Sequence, residues 1–165
     1  MRKILLIISI AAAFGCVAVI PYEITKDVDR NIAFEKVMKD PDAHSGKKVI
    51  FGGEIIETRV LKEGTQVEIL QKPLDYYDVP LVTDESQGRF LAVFKEFLDP
   101  QVFKSGRRVT IVGEVEGKKT LPLGGTEYIY TSIRGTHIHL WPHTEEYYYY
   151  PHFNFGIGLY RWYPY

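Results

Sequence analysis

The sequence predicts a mainly β protein: a small five-stranded OB-like Greek-key barrel with a short N-terminal helix, preceded by a signal peptide and followed by an aromatic-rich tail. Three observations carry this. Between Lys48 and Leu140, five stretches of alternating or continuous apolar residues are separated by Gly, Pro and Asp turn signals. The first stretch is broken by Gly52-Gly53, where a sheet bends or bulges, and it resembles the fourth. The chain begins with Met1-Arg2-Lys3 and an apolar run from Ile4 to Phe14, the pattern of a secretory signal peptide.

Taken in order, the apolar run ends at Gly15-Cys16, which holds the only cysteine of 165 residues. A cysteine directly after the break suggests a bacterial lipoprotein, in which the thiol is acylated and becomes the new N-terminus. Two plainer readings stay open here. Ile4 to Ile20 is 17 residues, at the short end of what spans a bilayer, and Ala11-Ala12-Ala13 suits ordinary signal peptidase, leaving Cys16 a free thiol. The division predicted is 1–15 signal peptide, 16–30 tether, 31–142 barrel domain and 143–165 tail. Val17 favours the outer membrane, because an Asp in that position is the usual inner-membrane retention signal.

Cleavage before Cys16 takes away Arg2 and Lys3, leaving 150 residues with 18 basic and 21 acidic side chains. That is enough chain for one core and a balance that excludes an electrostatic reason to seek nucleic acid. With no second cysteine to pair, stability must come from packing.

Asn31 is expected to cap a short helix buried through Phe34, Val37 and Met38 and ended by Asp40-Pro41. Val49, Phe51 and Ile55 mark the first strand. Glu63-Gly64 turns the chain into Thr65-Val67-Ile69, opposed by Gln66 and Glu68, a hairpin with one wet face. A connection of about 17 residues from Lys72 to Gly88 is longer than structure alone needs. Arg89 to Phe94 is the third strand, and Phe97-Leu98-Asp99-Pro100 leads through a helical turn to Phe103. Arg107 to Glu116 is the fourth strand. A loop around Leu121 to Thr126 precedes a long fifth strand, Glu127 to Leu140, with Gly135 as a point of interruption. Alternation puts Val49, Phe51, Val67, Ile69, Leu91, Val93, Val109 and Ile111 in the core.

Asp40-Pro41, Gly46-Lys47-Lys48-Val49 and Gly53-Glu54-Ile55 are echoed by Asp99-Pro100, Gly106-Arg107-Arg108-Val109 and Gly113-Glu114-Val115. Two similar approaches into a strand explain the echo better than a duplication, because no neighbouring unit repeats with it. In a closed barrel of the OB type those two strands are neighbours.

These segments, with Pro73-Leu74-Asp75, the run Thr83 to Ala92, Phe97-Leu98-Asp99-Pro100 and His139-Leu140-Trp141-Pro142, resemble as an ordered set the Slp family of starvation-inducible outer-membrane lipoproteins. The resemblance covers Cys16 to Pro142. It implies a lipid-anchored envelope protein of Gram-negative bacteria, linked to stationary phase and stress, with no established enzymatic activity; the side of the outer membrane expected is the one facing the periplasm. It names no ligand. Ala13 and Phe14 before the cysteine, and His44 where an aromatic residue is commoner, depart from the family pattern.

Little chemistry is legible. His137 and His139 share a strand face with His143 close behind, a spacing able to offer two imidazoles to a metal. No cysteine or adjacent carboxylate completes a shell, so no metal and no cofactor are expected. Asp84, Glu85 and Arg89 form either a recognition loop or a turn in which Asp84 and Ser86 bond the backbone, Gly88 takes a positive φ and Arg89 pairs locally with Asp84 or Glu85. The turn is preferred, since each residue type has a backbone job there. Neighbouring carboxylates do not face each other as glycoside hydrolysis requires, and no nucleophile with a base is apparent.

From Glu145 to Tyr165 ten of 21 residues are aromatic, among them Tyr147, Tyr148, Tyr149, Tyr150 and Trp162, without a sustained period. This is an arm for sugars, proteins or the lipid interface, or a tail that is poorly ordered or packs on its own barrel. The function expected is a structural or stress-protective outer-membrane lipoprotein. The alternative is a binding module for an oligosaccharide, peptidoglycan fragment or envelope protein.

Overall fold

The computed structural model describes residues 19–142. Helix α1 (Tyr22–Thr25) and helix α2 (Phe34–Lys39) precede a 3-10 turn at Asp42–His44 and five strands: β1 (Lys48–Leu61), β2 (Gly64–Lys72), β3 (Arg89–Phe94), β4 (Arg108–Leu123) and β5 (Thr126–Leu140). The strands close in the order β1-β2-β3-β5-β4, with β3 and β5 parallel and the other neighbours antiparallel. That order is the five-stranded barrel expected, and closure leaves no long edge open.

β1 and β4 pair around Phe51 opposite Ile111, and the echo in the sequence becomes an approximate two-fold relation. Lys48 faces Glu114 as Glu54 faces Arg108. The Gly46 N–H donates to the Val115 carbonyl at 2.8 Å and the Gly106 N–H to the Ile55 carbonyl at 2.9 Å. Both glycines have positive φ, +78° and +83°, a region closed to most side chains. The repeated Gly-basic-basic-Val is therefore the local solution to one problem met twice, turning an incoming segment onto its partner strand.

The core gathers inward residues of all five strands with α2. Phe34, Phe51 and Phe90 meet with ring centroids 5.1, 5.6 and 6.1 Å apart, and Val37, Ile55, Val67, Ile69, Val109, Ile111, Val115 and Ile133 surround them. Three expectations fail here. In β3 the residues of the central cluster are Phe90, Ala92 and Phe94, opposite Ile69, Val67 and Thr65 of β2, whereas Leu91 and Val93 point the other way, Leu91 fully buried as expected and Val93 only half-buried. Arg89 to Phe94 is apolar on both faces, so alternation could not choose; opposed residues share a face, and the partner strand decides.

Asn31 does not cap α2: the N-cap is Ala33, without a side-chain bond, and the Asn31 N–H instead donates to Asp29 Oδ1 at 3.0 Å. The outer face of β2 is not wet, since Gln66 and Lys72 are buried there.

The β4–β5 arm is also longer than periodicity suggested. Strand pairing continues to Leu123 opposite Thr126, leaving only Gly124-Gly125 as the turn. Pro122 and two glycines read as loop, yet pairing runs through Pro122 opposite Glu127. β5 stays continuous through Gly135, with the register shifting between the Val112–His137 and Gly113–Gly135 pairs, a bulge that leaves Thr136 over.

Candidate functional site

In barrels of this topology the outer face of β2 and β3 and the loops β1–β2 and β4–β5 form the usual ligand surface. Here Glu68 Oε1 accepts hydrogen bonds from Arg89 Nη1 at 2.9 Å and from the Tyr130 hydroxyl at 3.0 Å. Lys119 Nζ donates to Gln66 Oε1 at 3.2 Å and Ser132 Oγ to Glu116 Oε2 at 2.9 Å. Bonding to Glu68 holds the Arg89 guanidinium above its ordinary pKa, and burial, with that same carboxylate, raises the Tyr130 phenol. The polar groups of this face thus satisfy one another. Glu68 and Tyr130 were missed in the sequence because they pair across 62 residues; the only signal was a lone Glu on the outward period of β2.

Arg89 is therefore not the local partner of Asp84 or Glu85: register places it beside Leu70 on β2, within reach of Glu68. Asp84 and Glu85 are exposed. Ser86 Oγ bonds the backbone as expected, donating to the Gly88 carbonyl and accepting its N–H at 3.2 Å, while Thr83 Oγ1, which accepts the Glu85 N–H at 3.2 Å, and Gln71 Oε1, which accepts the Gln87 N–H at 2.9 Å, complete the turn. Gly88 takes the positive φ expected, +123°. Asp84 lines a pocket of about 330 Å³ with Glu54, Lys72 and Arg108. Lys72 Nζ donates to the Thr83 carbonyl at 2.6 Å, and Arg108 Nη1 to the Pro80 carbonyl at 2.9 Å.

The first half of the same connection lies over β1 and β4. Leu74 and Pro80 bridge each other above Gly52, where a Cβ would collide with the Leu74 side chain. The second glycine of the Gly52-Gly53 pair abuts the β2 backbone, so each glycine serves a close approach. Asp75 Oδ1 accepts the N–H groups of Tyr77 and Val79 at 2.8 and 2.9 Å, and Asp78 has φ +63°, an uncommon state for a side-chain-bearing residue. Three groups hold it there. Arg30 grips the Asp78 carboxylate with two bonds of 2.8 and 2.9 Å, the Thr110 hydroxyl donates to its carbonyl at 2.6 Å, and Trp141 Nε1 donates to Thr110 Oγ1 at 2.9 Å.

His137 and His139 share the outer face of β5, with the His139 ring 4.4 Å from that of Trp141. Nε2 of His137 is buried without a protein hydrogen-bond partner. Burial holds both imidazoles below the usual histidine range, and His137 lowers His139 further. Among the described residues no three His, Cys, Asp or Glu side chains are grouped to hold a metal.

A histidine with a depressed folded-state pKa favours the fold only while neutral. Its contribution is complete above the ordinary value of 6.5 and declines as the pH falls through it, because the unfolded chain takes up the proton first. The melting temperature is expected to drop between about pH 7.5 and about pH 5, and His137→Gln with His139→Gln to flatten that slope; an unchanged slope in calorimetry would contradict the assignment.

Cys16, His143, Tyr147, Tyr148, Tyr149, Tyr150 and Trp162 lie outside the described residues.

Solved structures similar to this chain include the mitochondrial single-stranded DNA-binding protein Rim1 of S. cerevisiae, at 15% identity and TM-score 0.37, covering 58% of this chain and 94% of that one. A small single-stranded DNA-binding protein of Streptomyces coelicolor matches at 16% identity and TM-score 0.37 over the same shares. A likeness at that level carries no argument about ligands, and the barrel rests on its own strand order.

Among sequence relatives, the outer membrane protein Slp of Escherichia coli K12 is 30% identical over 143 residues, 86% of this chain and 76% of that protein. The uncharacterized lipoprotein YeaY of the same strain is 32% identical over 111 residues, 67% of this chain and 57% of that protein. An uncharacterized protein of Haemophilus influenzae is 30% identical over 96 residues, 58% of this chain and 52% of that protein. The match thus spans little more than half the length of the latter two. Residues 14–165 match the family described as the outer membrane lipoprotein Slp family. Ordered motifs, barrel and relatives agree: the chain belongs to the Slp family of outer membrane lipoproteins.

Proposed function

We propose that this protein is a non-catalytic structural lipoprotein that protects the Gram-negative outer membrane under stress, held there by acyl chains on Cys16 and facing the periplasm. The observation that supports this most is the outer face of β2, β3 and β5, where Glu68, Arg89 and Tyr130 are spent on one another. A surface prepared for a ligand keeps donors and acceptors available, whereas here a carboxylate, a guanidinium and a phenol of this face are directed at one another. The stress element rests on the starvation link that the family resemblance carries.

The binding-module alternative, with an oligosaccharide, peptidoglycan fragment or envelope protein as ligand, draws support from the pocket where Lys72 and Arg108 meet Glu54 and Asp84. Mixed charge beside exposed Leu81 and Val82 suits a small polar ligand with one apolar edge.

In starved cells lacking the protein, leakage of a periplasmic marker enzyme is expected to rise. Wild type and the exposed-site variant Asp84→Ala with Glu85→Ala are expected to restore it equally, since only folding and anchoring matter. A variant that melts normally and fractionates with the outer membrane, yet fails to restore the barrier, would favour the binding reading instead.

A further inference from the structure

We propose that the barrel rests against the lipid surface through its exposed Tyr76-Tyr77 loop, to which the N-terminal segment is tied, with Tyr22 of that segment and Leu81 and Val82 of the loop as further contacts, so that the protein has a fixed membrane-facing side. The inference depends on the anchoring of Cys16 proposed above, and its first support is the length of the leash. Ile20 is buried in the fold. It lies four positions beyond Cys16, and an extended chain covers at most about 3.6 Å per residue. The buried end of the leash therefore lies within about 14 Å of the acylated residue, too little for a domain of this size to turn freely on its anchor.

The second support is what the fold exposes on the N-terminal segment and on the loop tied to it. Tyr22, two residues beyond Ile20, is 73% exposed, Tyr76 and Tyr77 are 91% and 61% exposed, and Val82 is 77% exposed. The rings of Tyr76 and Tyr77 stand edge to face with centroids 5.2 Å apart. Two side chains tie the N-terminal segment to the barrel and loop: Lys48 pairs with Asp27 at 3.6 Å, and Arg30 grips Asp78, the residue after the tyrosine pair. The segment from the lipid and the loop bearing the aromatics are thus fastened to each other.

The loop is also built to hold this shape, by the Asp75 carboxylate under Tyr77 and Val79 and by the left-handed Asp78. Exposed aromatics held rigidly in this way are costly in water but suit the headgroup region, where an apolar ring and a hydroxyl are both accommodated. A lipid surface is favoured over a protein partner because the leash already delivers one to this side of the molecule. The exposed apolar residues Val60 and Leu61 at the far end of β1 lie about 25 Å along the strand from Gly52, on the other side of it from Lys48, which is tied to Asp27.

The test uses the mature, lipidated full-length protein in vesicles of phosphatidylethanolamine and phosphatidylglycerol. Cys16 is the only native cysteine and its thiol is consumed by the lipid, so Tyr76→Cys and Val60→Cys each provide one site for a fluorophore, with melting curves checking that both variants fold. A quencher on the lipid headgroup is expected to reduce emission at position 76 at least threefold more than at position 60. Equal quenching, or stronger quenching at 60, with the protein still floating on the vesicles, overturns the orientation and leaves the anchor intact. Failure to float, with no acyl mass on Cys16, overturns the anchor and the orientation with it.

Discussion

Replacement of Cys16 by serine is expected to move the protein out of the outer-membrane fraction almost completely, as a soluble form or as precursor stranded with its signal sequence. Serine has no thiol to form the thioether on which processing of a lipoprotein depends. Each buried methylene of an acyl chain contributes about 0.8 kcal/mol to membrane partitioning, and two chains are needed for stable anchoring. Among the described residues no helix is long and apolar enough to cross a bilayer. The aromatic face would supply weak, reversible contact at most, so the outer-membrane fraction should fall by about tenfold or more. Mass spectrometry of the wild-type protein decides the matter independently. An acylated N-terminal Cys16 is expected, and an intact Met1 or a chain beginning at Phe14 would refute the assignment.

Phe90→Ala should be the most damaging of the conservative core substitutions. Phe90 is fully buried and its ring meets both Phe34 of α2 and Phe51 of β1, so its loss opens a cavity where helix and barrel join. Truncating such a ring costs about 3–5 kcal/mol, a large part of the roughly 5–15 kcal/mol that holds a domain folded, and should lower Tm by roughly 10–20 °C. The informative control is Val93→Ala, three residues along the same strand but on its outer face and only half-buried. It should cost about 1 kcal/mol or less. If thermal melting showed the two variants equally destabilised, the register of β3 described here would be wrong.

These two residues also show where reading the chain succeeds and where it stops. In β1, β2 and the first half of β4 an apolar residue alternates with a polar or glycine neighbour often enough to name the inward face, and Val49, Phe51, Val67, Ile69, Val109 and Ile111 are all buried. β3 offered no such contrast. The candidate loop failed differently: the turn chemistry of Ser86 and Gly88 is local and was readable, whereas the partner of Arg89 is Glu68, 21 residues away, and only strand register brings them together.

The sequence by itself determined the address, the family and the strand count. A basic pair and an apolar run before a single cysteine, turn residues between apolar stretches and a repeated Gly-basic-basic-Val are local features, each produced by a few adjacent residues and therefore visible in the chain. Only the tertiary structure decided which face of β3 is inside, that the outer face of β2 closes on Tyr130, and that Arg30, Asp78, Thr110 and Trp141 link into one chain of hydrogen bonds. Each of those contacts joins residues at least 31 positions apart. At such separations no periodicity survives, and the pairing is set by which strands lie side by side once the barrel has closed.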